Sequence, residues 1–310
     1  METEQEYTAI TLIDLVNVIK INFVFISAVM ILGFVLTAAY SLVVTPIYAS
    51  SALIAPNIND KESSRASAMS SLPGISGLMP LSTGVSRSEI AYQKLMSAEF
   101  FRVLYENDNF LKDFYSVKSY SVTTKEVTYE GNIDIESLRS KYHFQKGYED
   151  FHKKFLLATY NRKAILINLM LKNKSPELAS FWLKQIIFEI NKYVKEEEKL
   201  EAENSLKYLQ NRLSETNIIE VQRVIAALIQ EKIQTLMLAE VSEEYLFDII
   251  DEPYVPNYRF WPKRTQLTVI GTISSGFVSV IFSMFVFLRN RDTVIEFLKS
   301  SVFTRKTRQQ

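Results

Sequence analysis

Two long stretches without a charged residue constrain what this chain can fold into. No Asp, Glu, Lys or Arg occurs in residues 21–59 or in residues 265–288. Each stretch holds an apolar segment of 24 residues, which is 21–44 in the first and the whole of the second. An α-helix needs about 20 residues to cross a bilayer, and the acidic start of the chain does not fit the basic leader of a signal peptide. We therefore predict two transmembrane helices.

The distribution of basic residues predicts how these spans are oriented. The tail 289–310 holds six Lys and Arg residues against two acidic ones, and short basic segments stay in the cytoplasm. Two spans then place the juxtamembrane residues 1–20 in the cytoplasm as well. Residues 45–264 would form a large domain in a bacterial periplasm, so the chain is predicted to be a two-pass inner-membrane protein. Lys263 and Arg264, at the outer mouth of the second span, oppose this orientation weakly.

Both predicted spans carry small residues at a spacing of four. Such stripes let the backbones of two helices approach closely in lipid, so we expect the spans to pack through them. The residues are Gly33, Thr37 and Ser41 in the first span and Gly271, Ser275 and Ser279 in the second.

The external region shows several short strand and helix patterns. Strands are predicted at 47–55, 120–129, 164–171 and 245–250, and a helix is predicted to begin at the N-cap Ser88 and to run to about Glu106. Residues 57–86 are rich in Ser, Gly, Asn and Pro and are predicted to form a loop. These patterns favour an α+β fold, with a small mixed sheet and helices on one of its faces.

The longest helical pattern begins at Ser175, a favourable N-cap that is followed by Pro176 at the first helical position. Its apolar stripe ends near Val194, and the following residues are polar all round, so this helix is expected to project from the base. The apolar pattern resumes after a possible capping pair, Asn217 with Glu220. We predict a helical arm at 175–241 on a base formed by 45–174 and 242–264. A single longer helix with a later turn is the alternative.

The composition excludes several classes of function. The net charge is zero, so no basic field favours nucleic acid, and the absence of cysteine excludes thiolate chemistry. The two histidines, His143 and His152, are nine residues apart and form no metal motif, and no P-loop occurs. The acidic groups are interpreted as solvated: Asp134, Glu136, Asp248, Asp251 and Glu252. We predict no catalytic residue, no cofactor and no metal, and hence no enzyme.

Six segments carry a resemblance to a known family. They are ITLIDLVNVIK at 10–20, TPIYASSALIAP at 45–56, SLPGISGL at 71–78, SRSEIAYQKLMSAEFFRVL at 86–104, NKSPELASFWLKQIIFEIN at 173–191 and EPYVPNYRFWPKR at 252–264. Together they resemble bacterial polysaccharide co-polymerases of the Wzz type, the O-antigen chain-length determinants. Pro253, Pro256, Pro262 and Lys263 match the family's proline-rich motif before the second span. The intervening Tyr-Arg-Phe-Trp departs from it and leaves the subfamily open.

This resemblance implies a regulator and no enzyme. Members are expected to form rings of identical subunits, whose long helices stand over the membrane. They act with a membrane polymerase on an undecaprenyl-linked polysaccharide and set the modal length of the lipopolysaccharide O-antigen. The missing kinase motif favours the O-antigen class over the capsule class. The alternatives are a capsule or exopolysaccharide export subunit, a membrane receptor, which a 22-residue tail disfavours, and an enzyme.

Overall fold

The computed structural model of the protein describes residues 19–57, 87–131 and 134–289. The chain divides into two compact units, one formed by Met1–Pro46 with Trp261–Gln310 and the other by Ile47–Phe260. Most of the predicted juxtamembrane segment at 1–20, nearly all of the predicted loop at 57–86 and the basic tail after Arg289 lie outside the described residues.

The helices of the described residues are, in chain order, α1 (Phe23–Val43), α2 (Arg87–Leu95), α3 (Ala98–Glu106), α4 (Asp108–Tyr115), α5 (Ile135–Lys141), α6 (Phe144–Asp150), α7 (Pro176–Glu215), α8 (Ile219–Val241) and α9 (Arg264–Arg289). A short π-helix (Phe151–Phe155) follows α6. The strands are β1 (Tyr48–Pro56), β2 (Val117–Ser121), β3 (Glu126–Tyr129), β4 (Leu156–Asn161), β5 (Leu166–Asn173) and β6 (Phe247–Asp251).

The first unit is an antiparallel pair of apolar helices, α1 and α9, which pack along each other. Their ends lie within two residues of the predicted spans. Both helices are long and apolar enough to cross a membrane, and their large side chains mostly face outward, where Phe34, Phe277 and Ile281 are exposed. A core helix of a soluble protein buries such side chains, whereas a bilayer solvates them.

The second unit is built on a four-stranded sheet with the order β4-β5-β1-β6. Every pairing in this sheet is antiparallel, so the prediction of a mixed sheet was wrong. Alternate residues of β1 and β5 are fully buried, with Ala52 opposite Leu169 and Ile54 opposite Ile167. The apolar stripe of α7 packs on this face, and α2–α4 complete the same core. The α+β fold class is confirmed.

The structure corrects two of the predicted elements and adds a strand. The helix predicted to run from Ser88 to Glu106 is divided into α2 and α3, because the Ser97 hydroxyl accepts a hydrogen bond from the Phe100 amide at 3.1 Å and caps a new helix. Ser88 therefore lies inside α2 and is not its N-cap. The strand predicted at 120–129 is the hairpin β2–β3, and the strand β4 was not predicted.

The predicted helical arm is present as the hairpin of α7 and α8. The Ser175 hydroxyl accepts a hydrogen bond from the Leu178 amide at 3.3 Å, so the predicted N-cap of α7 is confirmed. The returning helix packs against α7, with Lys232 Nζ 3.6 Å from Glu201 Oε1. The capping pair proposed for α8 was wrong, because α8 follows Ile218, which makes no side-chain capping bond.

One histidine of the second unit is half-buried, with both of its ring nitrogens shielded from solvent. His152 lies in the π-helix between aromatic rings, with ring centroids 4.6 Å from Tyr148 and 5.3 Å from Phe151. Neither of its ring nitrogens has a hydrogen-bond partner in the described part of the chain. Burial lowers the pKa of His152 from 6.5 to about 4, because the imidazolium loses the water that would solvate it.

Acid is therefore expected to destabilise the second unit. The unfolded chain takes up a proton at His152 near pH 6.5, whereas the folded chain does so only near pH 4. The free energy of unfolding should fall as the pH drops through this window. Denaturant unfolding at about pH 7 and about pH 5 measures the effect, which His152→Phe should remove and His143→Gln, at an exposed position, should retain. Equal pH dependence in the parent and His152→Phe would contradict the assignment.

Candidate functional site

Residues 252–260 connect β6 to the first unit and form the membrane-proximal segment. Hydrogen bonds to β1, to α7 and to the residue before β1 hold its backbone at both ends. The Ser50 hydroxyl donates a hydrogen bond to the Tyr254 carbonyl at 2.8 Å, and the Ser180 hydroxyl donates to the Pro253 carbonyl at 3.3 Å. At the other end, the Phe260 amide donates to the Ile47 carbonyl at 2.8 Å. The segment is thus fixed on the domain, although it contains neither helix nor strand.

The predicted proline motif is divided between the two units. Pro253 is half-buried and Pro256 is buried, and both belong to the second unit. Pro262 is buried and Lys263 is exposed, and both belong to the first. Proline fixes its own φ and lacks an N–H, so it favours an extended segment whose carbonyls are available to outside donors. The carbonyl of Pro253 is used in this way. A functional role of the motif stays a prediction.

Sequence reasoning missed a buried amide that holds the edge of the sheet. Asn191 on α7 accepts hydrogen bonds from the amides of Leu246 and Phe247 at 2.7 and 2.8 Å and donates to the Phe247 carbonyl at 3.1 Å. This side chain pairs the free edge of β6 as another strand would. Its signal in the sequence was a polar residue beside Ile190 and Ile187 on the buried stripe of α7.

Replacing Asn191 by leucine should loosen this edge while keeping the side-chain volume. Two amides and one carbonyl would lose their partners, which is expected to cost about 2–4 kcal/mol of the free energy of unfolding. Denaturant unfolding followed by the fluorescence of the buried Trp182 measures the loss. The matched control is Asn204→Leu, at an exposed position of the same helix. Equal stability of the two variants would contradict the role of Asn191.

In the first unit, the predicted small residues of the two apolar helices meet in pairs. A Cβ added at Gly33 would lie 2.5 Å from the Cβ of Ser275, and one added at Gly271 would lie 2.9 Å from the Cβ of Thr37. Contacts between real Cβ atoms are never so short, so each glycine admits the facing side chain. The structure therefore brings these four residues together.

The hydroxyls on these helices mostly bond to their own backbone. Thr37 Oγ1 donates to the Gly33 carbonyl at 2.8 Å, Ser275 Oγ to the Thr272 carbonyl at 2.8 Å and Ser279 Oγ to the Gly276 carbonyl at 2.7 Å. Such bonds let polar side chains lie in an apolar interface. Ser41 and Ser279 are buried. The role of all six residues in transmembrane packing stays a proposal.

Two of the five acidic residues have local structural roles. Asp134 is the N-cap of α5 and accepts hydrogen bonds from the amides of Glu136 and Ser137, both at 3.2 Å. Asp248 accepts a hydrogen bond from Asn57 Nδ2 at 3.1 Å, and burial, with Glu244 nearby, raises the pKa of its carboxyl. Within residues 19–57, 87–131 and 134–289, no group of three or more His, Asp or Glu side chains is placed to hold a metal ion.

The order of the two units along the chain characterises this protein. Two apolar helices long enough to cross a membrane flank, in the sequence, an α+β domain with a long helical hairpin. Residues 8–108, roughly a third of the chain, match the family model described as Wzz, chain length determinant protein. Over these residues the chain is similar to the Wzz chain length determinant family, and this match confirms the resemblance drawn from the sequence.

Three solved structures are similar to the chain at low sequence identity. A full-length bacterial polysaccharide co-polymerase has a TM-score of 0.41 at 13% identity, with 90% of this chain and 99% of that chain covered. A fragment of WzzB, the polysaccharide co-polymerase from Salmonella Typhimurium, has 0.32 at 14%, with 70% and 100% covered. The periplasmic domain of a chimeric lipopolysaccharide O-antigen chain length regulator has 0.26 at 11%, with 68% and 99% covered. No curated protein matches the chain significantly.

Proposed function

We propose that this protein regulates the modal chain length of the lipopolysaccharide O-antigen, as a non-catalytic partner of the membrane polymerase that extends an undecaprenyl-linked polysaccharide. The observation that carries the proposal is the match of residues 8–108 to the chain length determinant family. The chain would influence how long a growing polymer stays with its polymerase and would itself form or break no bond. The assignment of the O-antigen as the polymer is supported by the family resemblance of six segments, at 10–20, 45–56, 71–78, 86–104, 173–191 and 252–264.

The proposed location is the bacterial inner membrane, with both termini in the cytoplasm and the second unit in the periplasm. The basic residues of 289–310 support this orientation. A reporter that is active only in the periplasm should work when inserted at the loop between α7 and α8 and fail when fused after Gln310. The reverse result would contradict the orientation.

The proposed assembly is a homo-oligomer. The exposed apolar side chains of the arm support it, because a single chain leaves them in water and a second copy would cover them. On α7 beyond Val194 and on α8 these side chains include Leu200, Val221, Ile233, Met237 and Val241. Mass measurement of the full chain in detergent or in native nanodiscs tests the assembly, and a monomer in both would contradict it.

The function is tested by deleting the gene in its own host and restoring it from a plasmid. The lipopolysaccharide ladder on a silver-stained gel should lose its modal cluster on deletion, keep short chains and regain the cluster on restoration. The capsule and secreted polysaccharide of the same strains are sized in parallel. A changed capsule with an unchanged lipopolysaccharide ladder would contradict the O-antigen assignment and identify the alternative, an export or length subunit for another polymer.

A further inference from the structure

The membrane-proximal segment carries an unusual density of exposed aromatic rings. Tyr258 is 88% exposed, Tyr254 is 54% exposed and Phe260 is 39% exposed, and Arg259 between them is exposed as well. Most aromatic side chains of the second unit lie instead in its core, as Phe101, Phe110 and Phe151 do. We name Tyr254, Tyr258, Arg259 and Phe260 the tether surface.

Hydrogen bonds fix the backbone of the tether surface, so the positions from which its rings project are fixed as well. The carbonyl of Tyr254 and the amide of Phe260 are both hydrogen-bonded to β1 or to the residue before it. Between them, Pro256 is buried and adds a third attachment. A segment held in this way has little backbone entropy left to lose when its side chains bind a partner.

The chain itself limits how far the tether surface can lie from the bilayer. The apolar helix α9 begins at Arg264, six residues after Tyr258 and four after Phe260. A fully extended chain spans at most about 3.5 Å per residue, so the Cα atoms of Tyr258 and Arg264 are at most about 21 Å apart. Within this limit the segment can bring its rings to the headgroup layer, which is where a spanning helix must begin.

The chemistry of the tether surface fits that layer. Tyr has an apolar ring with a polar end and is enriched where headgroups meet acyl chains. Arg259 supplies a cation that suits a lipid phosphate. Lys172 of β5 lies with its Nζ 5.1 Å from the ring centroid of Phe260 and adds a second positive charge beside the rings. A surface of rings and cations, and of no carboxylate within residues 254–260, is suited to a phospholipid surface.

We propose that the tether surface is a bilayer anchor: Tyr254, Tyr258 and Phe260 insert at the headgroup boundary of the leaflet that the second unit faces, and Arg259 binds phospholipid phosphates. The proposal depends on α9 crossing the membrane and is independent of the polymer whose length is controlled. The anchor would hold the base of the domain against the lipid at a second place besides the spans.

The test uses the full chain in nanodiscs and a tryptophan placed at the tether. The chain has two tryptophans, of which Trp182 is buried, so Trp261→Phe leaves a nearly constant background. Tyr258→Trp in this background is the probe, and Tyr208→Trp, at a 59% exposed position of α7, is the matched control. Phosphatidylcholine brominated near the headgroup quenches tryptophans that enter the boundary layer, whereas acrylamide quenches those in water.

The probe at Tyr258 should lose roughly half of its fluorescence in brominated lipid and be protected from acrylamide, and the probe at Tyr208 should show the opposite. Replacing part of the lipid with phosphatidylglycerol should increase the protection of Tyr258→Trp, and Arg259→Gln should abolish this increase. Equal behaviour of the two probes would overturn the proposal. Protection from acrylamide without quenching by brominated lipid would also overturn it, because the partner would then be protein.

Discussion

Replacing Gly271 by leucine is expected to force α1 and α9 apart and to broaden the length distribution of the polysaccharide. A side chain at Gly271 would collide with Thr37, whose own hydroxyl is bonded to the backbone of α1, so the collision cannot be relieved by a rotation without losing that bond. Overpacking of this kind costs about 1–3 kcal/mol or displaces the helices. In lipid, where close backbone contact stabilises helix pairs, the displacement is the expected outcome.

The matched control is a second glycine of the same helix. A Cβ at Gly276 would lie 3.3 Å from the sulfur of Met30, and that flexible side chain can move aside. Gly271→Ala should therefore lower the thermal stability of the detergent-solubilised chain and broaden the polysaccharide ladder, whereas Gly276→Ala should do neither. Both variants are compared at equal membrane abundance. A normal ladder for Gly271→Leu at that abundance would contradict a role of this packing in length control.

The largest loss of stability is expected from Phe101→Ala. Phe101 is 1% exposed and contacts six other rings, with centroids 5.4–6.5 Å away: Tyr105, Phe110, Phe144, Tyr148, Phe151 and His152. Removing a fully buried Phe side chain costs about 3–5 kcal/mol, which is a large part of the 5–15 kcal/mol that stabilises a typical domain. The variant should thus be scarce in the membrane and should unfold at much lower denaturant concentration.

The arm supplies the control for this substitution. Phe188 on α7 is 59% exposed, so Phe188→Ala removes the same atoms and leaves no cavity. Unfolding in guanidinium, followed by the fluorescence of Trp182, reports on this core, because its ring lies 5.3 Å from that of Phe110. Phe101→Ala should shift the midpoint strongly and Phe188→Ala slightly. Similar midpoints would show that the aromatic cluster is not the stabilising core.

The elements that the sequence predicted well are those whose signals are local and unambiguous. The two apolar helices follow from uncharged runs of a length that helices of soluble proteins rarely carry. The start of α7 follows from Ser175 and Pro176, because a hydroxyl that bonds the third amide and a residue without an N–H both suit a first helical turn. Strand β1 follows from the β-branched and small apolar residues of 47–55.

The two missed hairpins lack the usual signal for a tight turn. Both β2–β3 and β4–β5 turn through a residue with φ near +55°, which glycine or asparagine adopts most easily, yet Lys125 and Ile165 occupy these positions. In the second turn, Asn161 supplies a local substitute, since its side chain accepts hydrogen bonds from the amides of Lys163 and Ala164. Because neither turn contains a glycine, the sequence predicts β2 and β3 as one strand and gives no prediction of β4.

The sequence predicted the contacts of the first unit better than those of the second. Small residues on two facing stripes predict a helix pair, because their spacing alone places them on one side of each helix, and the structure pairs Gly33 with Ser275 and Thr37 with Gly271. The hydrogen bonds of Asn191 to Leu246 and Phe247 could not be predicted, since these partners are more than 50 residues away in the sequence. The partners of such a side chain are brought to it only by the tertiary fold. In the sequence it is visible only as an isolated polar residue.

The central claim is that this protein sets the length of a polysaccharide without making it. The most direct test is to label the sugar repeat with a radioactive precursor in the deletion strain and in the restored strain, and to measure both the total incorporation and the size distribution of the lipopolysaccharide. The account predicts equal total incorporation in the two strains and a modal cluster only in the restored one. Incorporation that falls to background on deletion, or a size distribution that does not change, would contradict it.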